Sequence, residues 1–209
     1  MTDWAETTEQ AVLDEALALS AHMGWTRPMT LAAARKAGLT PGEADLLLPH
    51  GARDLAALLS RRHDAAALAA LPDPASLKIR QRIRAAVEAR LEAASADREA
   101  LRRWAGFLSL PLNLPLALRL VWESADKLWR WAGDTATDEN HYSKRAILSG
   151  ILVSTTAIDL ASGREAALAH LDARIQNVMD FEKWKAGIKP ADFPREIAGA
   201  LAAIRYGRA

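Results

Sequence analysis

Residues 132–145 read AGDTATDENHYSKR, a polar run set between two strongly apolar stretches, LRLVWESADKLWRW (118–131) and AILSGILVSTTAIDLA (146–161). On both sides the apolar residues return every three to four positions, the spacing of a helix that buries one face. Between them Gly133 can take the left-handed backbone that ends a helix, and Thr137 or Asp138 can accept the free N–H groups that begin the next. The run is therefore a joint between helices, and similar punctuation recurs at Gly24, Gly38, Gly51, Pro111 and Gly163. No stretch sustains a period of two. The chain is expected to be all-α, with nine or ten helices.

Working outward, a first helix is expected to start at Thr7 or Thr8 and to bury Val12, Leu13, Ala16, Leu17 and Leu19 before Gly24 ends it. Two short helices meeting at Gly38 and a longer one after Gly51 follow. Leu77, Ile79, Ile83, Val87 and Leu91 mark the next buried stripe, with Lys78, Arg80, Arg82 and Arg84 on its solvated side.

Composition narrows the function classes. Half of the 209 residues are hydrophobic and a quarter are charged, enough to build a buried core. A formal net charge of +1 gives no global attraction to phosphates. The absence of cysteine rules out disulfides and thiolate metal sites. The acidic N-terminus lacks the layout of a secretory or transit peptide. The longest apolar run, WAGFLSLPLNLPLALRLVW (104–122), has about membrane length but carries Asn113, Arg119, Pro111 and Pro115, which make it a poor spanning helix.

The helix pair around Gly38 has the layout of a DNA-binding helix-turn-helix. Its second helix begins TPGEADLLL, offering Glu43 and Asp45 where phosphate donors are needed, so a packed hairpin is the better reading. In the joint itself, Asp138, His141, Tyr142, Arg145 and Ser149 fall on one helical stripe, opposite Ile147, Leu148, Ile151, Leu152 and Ile158. Tyr and Arg are enriched where proteins meet, so the stripe is expected to face a partner. Asp138-x-x-His141 imitates half of a di-iron ligand pair, but no second acid-x-x-His exists, and neither a metal nor a cofactor is expected.

The stretch WESADKLWRWAGDTATDENHYSKRAILSGILVSTTAIDLA, followed by LDARIQNVMDFEKWK, resembles the signature region of the coenzyme Q biosynthesis accessory proteins, the ninth-numbered member of that pathway's set. Trp129, Ala132, Gly133, Asp134, Thr137, Asp138, Asn140, Tyr142, Lys144 and Arg145 carry the match, which is specific over residues 104–188 and looser before them. His141 stands where that family has Trp. The resemblance implies a fold like that of the TetR regulators, with a degenerate N-terminal helix-turn-helix and later helices enclosing a lipid pocket. It implies a non-catalytic protein that binds polyprenyl quinone intermediates at a membrane and presents them to the di-iron demethoxyubiquinone hydroxylase. Its partner patch maps to Asp126, Leu128, Asp138, His141, Tyr142 and Arg145.

Phe107, Leu108, Leu110, Leu112, Leu114, Leu116, Leu118 and Val121 supply more apolar surface than one helix stripe can bury, and together with Ile151 they are the expected wall of that pocket. The C-terminal stretch places Phe193, Ile197, Leu201 and Ile204 on one side, with Lys185 and Lys189 among the nearby basic groups, the composition of an interfacial helix that touches a membrane. Residues 1–60, 61–188 and 189–209 are the expected N-terminal helices, lipid-binding domain and membrane-contact helix. A cytoplasmic protein held peripherally at the inner membrane is expected, free of nucleic acid, with homodimerisation left open. The alternative is a TetR-type, ligand-responsive transcriptional regulator.

Overall fold

The first helix, α1 (Trp4–Met23), is already formed at Trp4, ahead of the expected start at Thr7 or Thr8. Thr8 is a turn inside, where its hydroxyl donates back to the Trp4 carbonyl. The computed structural model describes residues 4–96 and 98–187, with side chains as far as Phe181. The remaining helices are α2 (Arg27–Lys36), α3 (Pro41–Leu47), α4 (Ala52–Ala70), α5 (Ile79–Ser95), α6 (Arg98–Leu108), α7 (Leu114–Trp131), α8 (Glu139–Ser162) and α9 (Arg164–Gly187). There is no strand among the described residues, and the fold is all-α.

Side-chain caps set several boundaries. Thr40 and Glu43 form a reciprocal capping box at the start of α3, so Glu43 is engaged in holding the helix end. That hydrogen bonding from Thr40 keeps its carboxyl below the ordinary range. Asp45 pairs with Arg27 at the surface, and Leu46 of the same helix is 85% exposed.

Two apolar clusters form the interior. The first joins α1–α4 to the end of α6 and the start of α7 through Val12, Leu13, Met29, Leu55, Leu59, Leu108, Leu116 and Leu120. The second joins α5, α7, α8 and α9 through Ile83, Val87, Leu91, Leu128, Leu148, Ile151, Leu152, Leu171 and Ile175. Ile79, expected on the buried stripe of α5, is instead about half exposed at its first turn. The expected boundary at residue 60 falls inside α4. There Asp64, one of the most deeply buried side chains, accepts from Ser124 of α7 at 2.7 Å and pairs with Arg90 of α5 at 2.7 Å and Lys127 of α7 at 3.1 Å. Three helices thus close on one carboxylate where the two clusters meet.

The apolar run at 104–122 is broken, because the chain turns through 90° between Arg98–Leu108 and Pro111–Trp131. By length and composition α8 could cross a membrane, and a third of its most apolar window is buried in the protein.

Candidate functional site

The joint between α7 and α8 is built from local signals. Gly133 takes φ +90°, and the amides of Gly133 and Asp134 turn back to the carbonyls of Arg130 and Trp129, closing the end of α7. Asp138 caps α8 by accepting from the Asn140 amide at 3.0 Å. His141 donates from Nδ1 to the Ala136 carbonyl at 3.0 Å, fixing its ring against the incoming loop.

Beneath this joint lies a network of charges. Arg145, on the second turn of α8, is only 1% exposed. Its guanidinium bridges Asp126 of α7 at 2.6 Å and Asp134 of the joint at 3.0 Å, and it also donates to the His141 carbonyl. Lys144 takes the other oxygen of Asp134 at 2.6 Å, and Arg130 the other oxygen of Asp126 at 2.7 Å. Burial opposes charge on both carboxylates, yet the hydrogen bonds from Arg145 with Arg130 and from Lys144 with Arg145 outweigh it, so both sit below the usual carboxylate range. Burial likewise opposes the charge on Arg145, and the two acids hold it firmly protonated. Lys144 also lies over the Trp129 ring, whose Nε1 donates to the Lys144 carbonyl.

The expected outward stripe is therefore split. Arg145 is buried as the keystone of this network, and Leu128 is fully buried in the second cluster, so neither is on a partner-facing surface. Ser149 turns its hydroxyl inward, where it finds no partner. Asp138, His141 and Tyr142 do lie at the surface end, with Tyr142 64% exposed. Its ring packs edge-on to His141 at 5.1 Å and against Trp122 of α7 at 6.3 Å. Trp122 lies 20 residues earlier in the chain, and no local spacing pairs it with Tyr142. A depression of about 270 Å³ opens beside these rings, floored by Asp134 and Arg145 and edged by Arg130, Thr137, His141 and Tyr142. The arrangement is a rigid charged floor carrying a small exposed aromatic surface, suited to protein docking.

The expected pocket wall does not converge on a cavity. Phe107, Leu108 and Leu116 pack into the first apolar cluster, while Ile151 is buried in the second with Val121 packed against it. Leu110, Leu112, Leu114 and Leu118 face outward. A purely apolar cleft lies elsewhere, between α5, α7, α8 and α9, lined by Ile79, Ile83, Trp129, Ile147, Ile175 and Met179 among others. Its volume is about 90 Å³, well below the ~300–1,000 Å³ of typical small-molecule sites. Lys185 belongs to α9, but its side chain lies outside the described residues, as do Lys189, Phe193, Ile197, Leu201 and Ile204.

Residues 114–182, which form α7, α8 and most of α9, match a family model described as COQ9. Over 186 residues the chain is 30% identical to the mitochondrial ubiquinone biosynthesis protein COQ9 of Rattus norvegicus, covering 84% of this chain and 60% of that protein. It is 28% identical to the Homo sapiens protein of the same name, covering 84% and 58%, and 28% identical to that of Xenopus tropicalis, covering 83% and 58%. The chain therefore spans no more than about 60% of the length of these relatives.

Proposed function

Because the chain belongs to the COQ9 family, we propose that it serves ubiquinone biosynthesis as a non-catalytic accessory protein at the inner membrane, on its cytoplasmic face. It binds polyprenyl quinone intermediates and presents them to the di-iron demethoxyubiquinone hydroxylase. The observation that carries this reading is the aromatic group of exposed Tyr142 packed on half-buried Trp122 and His141, above a network that fixes the backbone beneath it. A surface of this kind binds with little loss of side-chain freedom, since the Ala136 carbonyl holds the His141 ring, Arg145 holds the His141 backbone, and Tyr142 packs on His141 and Trp122.

The cleft bounded by α5, α8 and α9 is the contact for the first part of an isoprenoid tail, and it widens when the tail enters. Each CH₂ removed from water contributes about 0.8 kcal/mol, so even a partial tail offsets the cost of widening the cleft. The regulator alternative has no such support. The exposed face of α3 presents Leu46 and acids that are already engaged, not the cationic donors that phosphates require.

Binding of the purified hydroxylase to this protein and to its Tyr142→Ala variant tests the docking surface. We expect the variant to fold with unchanged stability, as the ring is mostly exposed, and to bind about thirtyfold more weakly, a loss of ~2 kcal/mol typical of a central aromatic contact. Equal affinity for both proteins overturns the reading.

A further inference from the structure

The corner between α6 and α7 is an apolar projection that neither cluster absorbs. Residues 104–118 contain no charged side chain, and Arg102 and Arg103 precede them while Arg119 follows. Over 98–123 four arginines stand against two glutamates. Leu110, Leu114 and Leu118 are each about half exposed or more, and Leu112 is 79% exposed. The helices meet there at 90°, so Leu110 and Leu112 project from the bend itself, while Leu114 and Leu118, one turn apart, continue the apolar surface along the start of α7.

Most of the backbone of this bend is paired within the protein, the Leu112 amide excepted. The Ser109 amide donates to the Ala105 carbonyl, Leu110 to Phe107, and Asn113 to Leu110 at 2.8 Å. The buried Asn113 side chain donates to the Phe107 carbonyl at 2.9 Å, and Arg53 reaches across from α4 to the Leu112 carbonyl at 3.3 Å. Pro111 and Pro115 have no N–H to satisfy. A loop meant for water does not need this, since water pairs its backbone. A loop that enters hydrocarbon does, because each unsatisfied polar group there costs several kcal/mol.

The geometry points to the α6–α7 corner as a tip that inserts into an anionic lipid bilayer, with Leu110, Leu112, Leu114 and Leu118 in the acyl boundary and the flanking arginines at the headgroups. Arg119 lies one residue beyond Leu118 with its side chain largely exposed, although it also pairs with Glu123, and such arginines reach upward while their stems stay apolar. The occupant is a lipid surface because Arg102, Arg103 and Arg119, half exposed or more, flank the leucine tip with a positive excess that suits phosphate headgroups, even though Arg102 and Arg103 share Glu99. The tip needs a bilayer but no quinone, so it can fail while the quinone reading stands, and the reverse.

The protein has no cysteine, so Leu112→Cys in the full chain takes a single environment-sensitive fluorophore. Val153→Cys, on an exposed apolar position of α8, is the control. With vesicles of phosphatidylcholine and phosphatidylglycerol we expect a blue shift at position 112 and none at 153. Leu112→Glu together with Leu118→Glu should weaken vesicle partition at least about tenfold, since both apolar side chains would be replaced by charges that the acyl region rejects. Two results overturn the proposal: no shift at 112 despite vesicle binding, or a shift at 112 that needs only higher protein concentration, which assigns the corner to contact between copies of the chain.

Discussion

Arg145 lies beneath the proposed docking surface without reaching it. Its side chain is 2% exposed and bridges two acids from different elements, so removing it leaves Asp126 and Asp134 facing each other with reduced compensation. Arg145→Leu is expected to cost about 3–5 kcal/mol, read by urea unfolding, with Arg145→Lys losing less because one ammonium can still pair with one acid. His63 makes a different prediction. Burial, then the nearby Arg90 and Arg62, lower its pKa to about 3, against ~6.5 when unfolded. Above pH 6.5 neither state holds the proton. Below it the unfolded chain takes up a proton that the native protein refuses, so stability falls with pH, by up to about 2 kcal/mol between pH 6 and 4.5. Unfolding free energies measured across that window should show the slope, and His63→Gln should flatten it.

At the scale of elements, the sequence declared its joints and concealed its faces. Gly133 and Asp138 were legible as helix stop and cap because both act through backbone groups a few residues away. The burial of Arg145 was not, because helical spacing groups residues on a stripe without saying what covers it. The cover is α7, through Asp126, 19 residues upstream. The leucines of 107–118 failed in the same way. Their density announced an excess of apolar surface, but the 90° break decides which ones turn inward, as Leu108 and Leu116 do, and which turn out, as Leu110 and Leu112 do. The joint itself is testable. A Cβ at position 133 would sit at φ +90° and 3.3 Å from Arg82 Nη1, which donates to the Ala132 carbonyl at 2.7 Å. Gly133→Ala should therefore destabilise by about 1–2 kcal/mol, seen as a lower melting temperature.

For the whole molecule, the arrangement is two apolar clusters closed on Asp64, an aromatic end at the α7–α8 joint that is the proposed docking end, and a leucine corner at the other end of α7. Because α7 carries both Trp122 and Leu114, a protein that rests its corner on a membrane holds its docking end at a fixed height above it. In the proposed role, that fixed height is what would bring the hydroxylase to a quinone in the membrane. The direct measurement is the rate at which the di-iron hydroxylase converts demethoxyubiquinone held in vesicles, with and without this protein. The wild-type protein should raise that rate, and Tyr142→Ala, equally folded, should raise it little. Stimulation that is the same for both proteins, or absent with the wild type, would contradict the proposed role.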